Sequence, residues 1–258
     1  MSLEVNNFKD KQIGIPFDAP LYAATDAGTI EYRNCEALLG LFESTQELEK
    51  LVPAELEFTA TPPQAAYWLA WYSFSTVGAY YEYISMVMVR DADGDFGYYI
   101  PYIYVTNEAA LAGGREFFGA PKKLASMNMG KELEFIQGTV ERPAGKRLAT
   151  ITFQPQSRMS GEILGIFLTE KIYLYSIRHL PPLKGEGGHT QLIKWYSSVK
   201  PHTDPGGLPT AWTGKTSLTY DSPSLSDPIH NLKLGTMMLS AYIQFDMILG
   251  GEKILKEY

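Results

Sequence analysis

The sequence has 258 residues, and 22 Lys and Arg against 29 Asp and Glu give it a formal net charge of −7. A protein whose main role is to bind nucleic acid normally carries a basic surface, so this balance disfavours that class. Apolar residues make up 45% of the chain and charged residues 20%, which excludes a disordered tail or a coiled coil and predicts a globular protein with a substantial core.

Cysteine content and the hydropathy pattern bear on where the protein resides. Cys35 is the sole cysteine, so no intrachain disulfide can form and an oxidising compartment is not needed. The segment Met1–Phe17 is polar and lacks the apolar region of a signal peptide. The longest charge-free stretch, Phe58–Tyr81, is interrupted by Pro62 and Pro63 and is a poor membrane span. We expect a cytoplasmic protein with no transmembrane segment.

The first predicted element is a short helix over Ser44–Val52. Ser44 and Glu47 have the spacing of a capping box, and Pro53 would stop the helix.

A β-hairpin is predicted next, from Tyr83–Arg90 and Tyr98–Val105, which are rich in β-branched and aromatic residues and flank an Asp- and Gly-containing turn. The turn imitates the start of a calcium-binding loop through Asp91, Asp93 and Asp95. Tyr102 stands where such a loop needs a bidentate glutamate, so a hairpin turn is the better interpretation.

The remaining elements are mostly strands. Asn107 is expected to cap a short helix through Leu111 that ends at Gly113 and Gly114 and is followed by a loop. Further strands are predicted at Leu133–Val140, Leu148–Phe153, Lys171–Ile177, Leu192–Val199 and Lys215–Tyr220, with loops at Pro181–Gly188 and Lys200–Pro209. With no repeat, no βαβ rhythm and no linker, the pattern favours one domain of antiparallel β structure.

Lys122 and Lys123 stand side by side among small and apolar residues, in the segment Gly113–Leu124. An amine is a nucleophile only when neutral, so an imine-forming lysine needs its pKa lowered by desolvation or by a neighbouring cation. The dipeptide alone is more typical of a solvated turn. Its surroundings therefore decide between these interpretations.

Those surroundings resemble a known family. Gly114-Arg115-Glu116 followed by Pro121-Lys122-Lys123-Leu124 resembles the signature of the acetoacetate decarboxylase family, including its internal spacing. Asn107-Glu108, Ala211–Gly214 and the apolar segment Met237–Leu249 are similar to other parts of that family. Acetoacetate decarboxylase is itself a standard example of a lysine activated by desolvation or by a neighbouring cation.

The resemblance implies roles for three residues. Lys122 matches the lysine that forms the Schiff base, and Lys123 matches the neighbour that lowers the pKa of that lysine. Glu82, after Gly78-Ala79-Tyr80-Tyr81, is similar to an active-site glutamate that would shuttle protons at the carbinolamine and enamine stages. A solvated glutamate at a strand end is an equally open interpretation of Glu82.

The chain departs from the family at the arginine that pairs with this glutamate. The nearest candidate, Arg33, lies about one position out of register. If the pocket lacks an arginine, the same Schiff base could instead serve the pyruvate aldolase-dehydratases of the wider superfamily, in which a pyruvate enamine attacks an aldehyde and water is then lost. The residues expected to contact substrate are Arg33, Arg115, Glu116 and Phe118.

The histidines and the aromatic residues give weaker indications of function. His179, His189, His202 and His230 lack metal-ligand spacing, and we expect no metal and no organic cofactor, although His189 or His202 could reach a pocket from their loops. The 17 Tyr and 12 Phe are expected to serve mainly as core, with some lining the pocket and desolvating Lys122.

Together these observations predict a single domain over residues 1–258. Its fold class is α+β and predominantly antiparallel β, and the resemblance implies a barrel or cone with peripheral helices. We also expect a homo-oligomer, and the charge and hydropathy pattern predict no nucleic-acid or membrane partner. We expect a lyase that decarboxylates acetoacetate or a related β-keto acid. The alternatives are the aldolase-dehydratase and a non-catalytic binding module in which Lys122 stays charged in a salt bridge.

Overall fold

The structure is a computed structural model that describes residues 4–8, 11–22, 28–45 and 48–258. Fourteen strands in this part of the chain form one extensively hydrogen-bonded sheet. The strands are β1 (Thr29–Ser44), β2 (Glu57–Phe58), β3 (Gln64–Tyr72), β4 (Phe74–Ser75), β5 (Tyr80–Arg90), β6 (Phe96–Val105), β7 (Lys122–Leu124), β8 (Ser126–Glu132), β9 (Phe135–Glu141), β10 (Arg147–Arg158), β11 (Ile172–Leu180), β12 (His189–Pro201), β13 (Ala211–Tyr220) and β14 (Leu234–Glu257). The helices are α1 (Glu108–Phe117), α2 (Gly161–Phe167) and two short 3-10 segments, Val5–Phe8 and Ile229–Asn231.

Seven strands close into an irregular, barrel-like ring. Their order is β1, β3, β5, β6, β11, β12 and β14, and β14 also pairs with β1, which completes the circuit. Neighbours in the ring are antiparallel except β6 and β11, which run parallel. The fold is therefore predominantly antiparallel β with few helices, as the sequence predicts.

The remaining long strands form a second layer outside the ring. The strands β13, β10, β9 and β8 continue from β14 and pack on outward-facing residues of the ring, such as Leu69 and Tyr83. The approach is close at Gly138 of β9, where an added Cβ would lie 2.0 Å from Leu69 Cδ2. Because β5 faces the interior of the ring on one side and this layer on the other, nearly all of its residues are buried.

The predicted hairpin is confirmed as β5 and β6, which pair in antiparallel register from Glu82 opposite Val105 to Arg90 opposite Phe96. Its turn is stabilised as a turn, because Asp91 Oδ1 accepts hydrogen bonds from the backbone N–H groups of Asp93 and Asp95.

The acidic cluster in this turn is neutralised by lysines. The carboxylates of Asp91, Asp93 and Asp95 lie within 4.8 Å of one another. The buried Lys194 donates to Asp91 Oδ2 at 2.8 Å and also pairs with Asp95, while Lys253 pairs with Asp93. The three aspartates thus have protein cations as partners, which agrees with the hairpin interpretation.

Two predicted helices differ in the structure. Ser44 is the last residue of β1, Glu47 lies outside the described residues, and residues 48–52 make a single turn in which Val52 N–H donates to Leu48 C=O. The helix α1 begins as predicted, with the Asn107 side chain capping Ala110 N–H, but it does not end at the glycine pair and continues to Phe117.

Several elements were not predicted from the sequence, namely β1, β2, β3, β4, β7, β8, α2 and β14, and β7 lies in the stretch after α1 that was expected to be a loop. Within the described residues, no helix is both long and apolar enough to cross a membrane. The charge-free stretch Phe58–Tyr81 contributes β3 and β4 to the sheet.

Candidate active site

Lys122 lies at the start of β7, a three-residue strand that runs parallel to β6 and places Lys122 opposite Ile103. The chain reaches β7 through Gly119, whose φ of +64° suits glycine and where a Cβ would lie 2.4 Å from the backbone N of Arg178. The Lys122 residue is only 5% exposed. A charged side chain buried to this degree needs a specific partner.

Glycine in α1 makes room for this lysine. A Cβ at Gly114 would lie 2.5 Å from Lys122 Cδ and 2.6 Å from Lys122 Cε. The Lys122 stem therefore packs directly on the backbone of α1. The glycine that the sequence indicated as a helix end is instead a site of close approach inside the helix.

Glu82 is the partner of Lys122. The Lys122 Nζ atom lies 2.7 Å from Glu82 Oε2, and both side chains are buried. The other carboxylate oxygen, Oε1, accepts a hydrogen bond from Tyr72 Oη at 3.0 Å, and Tyr72 Oη in turn accepts one from Trp68 Nε1 at 3.1 Å. This chain of hydrogen bonds fixes the carboxylate beside the amine.

Register explains why these side chains meet. Tyr72 lies opposite Tyr80 and Ala70 lies opposite Glu82 in the pairing of β3 with β5. Residues two apart in a strand share a face, so Trp68, Tyr72, Tyr80 and Glu82 all point into the ring.

Three tyrosines form the wall next to the ion pair. Tyr32 Oη and Tyr80 Oη lie 2.9 Å apart, and Lys122 Nζ is 5.7 Å from the centroid of the Tyr80 ring. Burial, followed by the negative charge of Glu82, raises the pKa of Tyr72 and of Tyr32 well above the usual value. Burial also raises the pKa of Tyr80, together with the neighbouring Tyr32 and Glu82. These hydroxyls remain protonated at neutral pH, so that Tyr72 donates to Glu82, and one of Tyr32 and Tyr80 donates to the other.

The ion pair borders a cavity inside the ring that contains about 1220 Å³ of empty space, counted out to its solvent-open mouth. Its walls are mainly hydrocarbon and aromatic, and Phe118, stacked on Trp195 at 4.9 Å between ring centroids, is part of them. Among the described residues that line this cavity, Lys122 and Glu82 are the charged ones. Such a site has the concave, mostly apolar character of a small-molecule pocket with a few convergent polar groups.

Lys123 has different surroundings from Lys122. Successive side chains of a strand point to opposite faces, and Lys123 Nζ lies 3.1 Å from Asp227 Oδ1 and also donates to the backbone carbonyl of Ser226. Its side chain is 39% exposed. The expectation that Lys123 acts as a charged neighbour of the Lys122 amine therefore has no contact to support it.

One of the four residues that were predicted to contact substrate lines the cavity, and the other three do not. Phe118 lines the cavity, but Arg33, Arg115 and Glu116 do not. Arg33 is half-buried and pairs with Glu31 at 2.7 Å. Arg115 Nη1 donates weakly to the backbone carbonyl of Lys122, and Glu116 accepts from Tyr22 Oη. We assign no substrate contact to these three residues.

The inward position of β1 near Arg33 belongs to Tyr32, because alternation along the strand turns Arg33 outward.

The two loop histidines also lie away from the cavity. His202 Nε2 is 2.9 Å from Asp246 Oδ1, and His189 is exposed at the start of β12. Sequence reasoning missed Tyr72 and Trp68 as partners of Glu82. Their four-residue spacing, which puts both on one face of a strand, was the available signal, but it required β3 to be identified as a strand.

Comparison with known proteins places this site in a family. The model of the family described as Acetoacetate decarboxylase (ADC) matches residues 18–258. The chain belongs to the acetoacetate decarboxylase family. A relative in that family, Acetoacetate decarboxylase 1 of Mesorhizobium japonicum, is 26% identical over 253 residues, which cover 97% of this chain and 96% of the relative.

Solved structures share the fold. The crystal structure of acetoacetate decarboxylase from Legionella pneumophila superposes with a TM-score of 0.80 at 24% identity and covers 100% of this chain and 98% of its own. MppR, an enduracididine biosynthesis enzyme solved in complex with pyruvate, superposes with a TM-score of 0.72 at 15% identity over 90% of this chain and 92% of its own. The fold of the acetoacetate decarboxylase family is thus present over the whole described chain.

Proposed function

We propose that this protein is a lyase in which Lys122 forms a Schiff base with a β-keto acid and expels carbon dioxide from it. The observation that carries the proposal is the buried contact of 2.7 Å between Lys122 Nζ and Glu82 Oε2 at the wall of an apolar cavity. Membership of the acetoacetate decarboxylase family, and the activity for which the Mesorhizobium relative is named, support the same reaction.

Glu82 is the group placed to manage protons. A lysine attacks a carbonyl carbon only as the free amine, and Glu82 is within hydrogen-bond reach to accept the ammonium proton. The amine adds to the ketone to give a carbinolamine, and the proton on Glu82 then leaves with the hydroxyl group as water. An iminium at Lys122 results.

The iminium then accepts electrons from the carbon–carbon bond to the carboxylate. Carbon dioxide leaves and the bonding pair forms an enamine. Glu82, reprotonated from solvent, delivers a proton to carbon and regenerates an iminium, which water hydrolyses to the ketone and free Lys122. Each turnover consumes one proton and releases one carbon dioxide.

The character of the walls favours decarboxylation. A substrate carboxylate in this cavity meets no arginine among the described lining residues. A carboxylate without a cationic partner is costly in apolar surroundings, and loss of carbon dioxide removes that charge together with the iminium charge. An apolar cavity therefore stabilises the decarboxylation transition state relative to the bound substrate.

Carbon dioxide release from acetoacetate tests this proposal. Lys122→Ala should lower the rate to background, and Glu82→Gln should lower kcat by about 10²-fold or more, as expected for loss of a general acid-base group. Lys171→Ala serves as the matched control, because Lys171 also has a glutamate partner, Glu252, but is on the surface. Equal losses in all three variants, or normal activity of Lys122→Ala, would contradict the proposed role.

The aldolase-dehydratase is a second candidate, favoured by a cavity lining that continues from Glu82 past Ile84 to Met86 and so leaves a place for a second substrate beside the keto acid. In this reaction the pyruvate enamine of Lys122 would attack an aldehyde, and Glu82 would return the proton needed for loss of water. The fold shared with MppR, which was solved with pyruvate, is consistent with it. Condensation of pyruvate with an aldehyde, without carbon dioxide release from acetoacetate, would establish this alternative. If no carbonyl substrate reacts, the non-catalytic binding module is the interpretation that remains.

A further inference from the structure

The cavity continues well beyond the Lys122–Glu82 pair in one direction along β5. Glu82, Ile84 and Met86 occupy every second position of this strand and all line the cavity. At about 3.3 Å per residue, the line from Glu82 to Met86 extends roughly 13 Å. The cavity is therefore an elongated space with its charged groups at one level and hydrocarbon at the next levels.

Neighbouring strands extend each level into a layer. The pairing of β3 with β5 and with β1 is regular, and so is the pairing of β1 with β14 over Leu39–Leu41, so apolar residues stand side by side at each depth. The layer of Ile84 contains Trp68, Leu39 and Ala241, and the layer of Met86 contains Ala66, Leu41 and Leu239. All eight of these residues line the cavity, and none carries a charge.

On the other side of Glu82 along β5, aromatic rings stand next to the ion pair. Tyr80 follows Glu82 on that side, and its ring packs on Tyr72 at 4.9 Å between centroids, while Tyr72 packs on Tyr32 at 4.7 Å. A substrate held at Lys122 has room to extend in the other direction, toward Ile84 and Met86.

Acetoacetate would leave this space unused. A small keto acid at Lys122 occupies the level of the ion pair, whereas the cavity lining continues along β5 to Met86, roughly 13 Å from Glu82. The walls offer few partners for water beyond the ion pair and the tyrosine hydroxyls. Filling the two apolar layers with hydrocarbon is the favourable way to occupy them.

We propose that the substrate is a β-keto acid with an apolar tail of medium length on the far side of its carbonyl group. This inference rests on the proposed function, because the carbonyl carbon is the atom that Lys122 attacks. The carboxylate end lies near Glu82 and the tyrosines, and the tail runs along the layers of Ile84 and Met86. The substrate and one proton yield carbon dioxide and a methyl ketone that carries the same tail; the water lost on imine formation is returned on hydrolysis.

A chain-length series tests the proposal with the unmodified protein. Carbon dioxide release is measured with acetoacetate, 3-oxohexanoate, 3-oxooctanoate and 3-oxodecanoate. Each added methylene should raise kcat/KM about fourfold, the factor supplied by burying one CH₂ group, so that 3-oxooctanoate exceeds acetoacetate on the order of a hundredfold. A flat series, or a maximum at acetoacetate, would overturn this inference and leave the proposed decarboxylase intact.

Failure of the proposed function has a different signature. It would show as no carbon dioxide from any member of the series and no borohydride-reducible adduct on Lys122 with any of them. The substrate inference would then fall together with the function on which it rests.

A variant that fills the far layer gives a second readout. Ala66→Leu adds three carbon atoms beside Met86 and should reduce the ratio of kcat/KM for 3-oxodecanoate over acetoacetate at least tenfold. Ala144→Leu makes the same change at an exposed position between β9 and β10 and should leave that ratio unaltered. Equal ratios in both folded variants would place the tail elsewhere and contradict the assignment.

Discussion

Gly114 in α1 has no side chain, and this leaves the room in which the reactive Lys122 lies. Gly114→Ala would put a Cβ 2.5 Å from Lys122 Cδ, and the lysine stem would have to leave the α1 backbone. We expect this variant to fold but to lose at least tenfold in kcat, because the amine moves away from Glu82.

The neighbouring glycine supplies the control for that prediction. A Cβ at Gly113 would make its nearest contact at 3.5 Å, on the Tyr22 ring, which is ordinary van der Waals contact. Gly113→Ala should retain activity and gain a few tenths to about 1 kcal/mol in stability, since alanine is the better helix former. If both variants kept the wild-type kcat, the packing of Lys122 on Gly114 would not matter for catalysis.

Tyr72 is a positioning residue for Glu82. Tyr72→Phe removes the donor at 3.0 Å from Glu82 Oε1 but keeps the ring, and we expect kcat to fall about tenfold, the cost of one hydrogen bond to a charged group. The pH dependence of kcat should also change, because the Glu82 carboxylate loses its hydrogen bond from Tyr72. A purely structural effect would instead lower kcat by the same factor at every pH. Tyr83→Phe is the matched control, because it removes a buried tyrosine hydroxyl from the outer face of β5. An equal fall in kcat in that variant would contradict the positioning role of Tyr72.

At the scale of elements, alternation along β7 separates two adjacent lysines into two roles. Lys122 faces the cavity, and Lys123 connects β7 to Asp227 in the segment between β13 and β14. Arg142 Nε also lies 3.1 Å from Asp227 Oδ1. Burial alone would raise the pKa of Asp227, but hydrogen bonds from Lys123 and Ser226 outweigh it and hold that pKa below its usual range.

This shift predicts a pH-dependent contribution to stability. A carboxyl group whose pKa is lower in the folded state stabilises the fold above its unfolded pKa of about 3.9, and the contribution disappears as the pH falls through the folded value. We expect Asp227→Asn to lower the free energy of unfolding by about 2 kcal/mol at pH 7 and by much less near pH 3. Denaturant titrations at both pH values test this, and a pH-independent difference would contradict it.

Local signals in the sequence predicted some elements well. The hairpin of β5 and β6 has an aspartate-rich turn between two β-branched runs, and Asn107 is a strong helix cap, so both were predicted. The glycines of α1 were misinterpreted because a glycine that ends a helix and one that admits a neighbouring side chain look alike in sequence. The prediction of a helix over Ser44–Val52 was wrong because Ser44 belongs to β1, whose pairing partners are distant in sequence.

At the scale of the whole molecule, the ring depends on pairing that no local pattern encodes. β1 and β14 pair from Thr29 opposite Gly250 to Ser44 opposite Leu234, with three shifts of register along the way. The candidate site depends on this closure, because Lys122, Glu82 and the tyrosine cluster come from four separate strands. Lys122 and Glu82 were identified through the resemblance to the family, whereas the Tyr72–Trp68 support required the three-dimensional register. The expected homo-oligomer and cytoplasmic location stay predictions.

The reactivity of the Cys35 thiol shows whether the ring is closed between β1 and β14. It lies buried opposite Phe245 at the junction of β1 and β14, and burial, with a further contribution from Asp246, raises the pKa of its thiol to about 12. The thiolate is the reactive form, so a disulfide-exchange reagent at pH 8 should leave Cys35 unlabelled in the native protein while it reacts completely in guanidinium chloride. Rapid labelling under native conditions would contradict a closed junction.

The proposed function requires a covalent imine between Lys122 and a β-keto acid. Borohydride reduction in the presence of acetoacetate, followed by intact mass and peptide mapping, detects this imine, with pyruvate as the parallel substrate and Lys122→Ala as the control. We expect one acetone-derived adduct on the peptide that contains Lys122 and none in the variant. An adduct on another lysine, or carbon dioxide release without any adduct on Lys122, would contradict it.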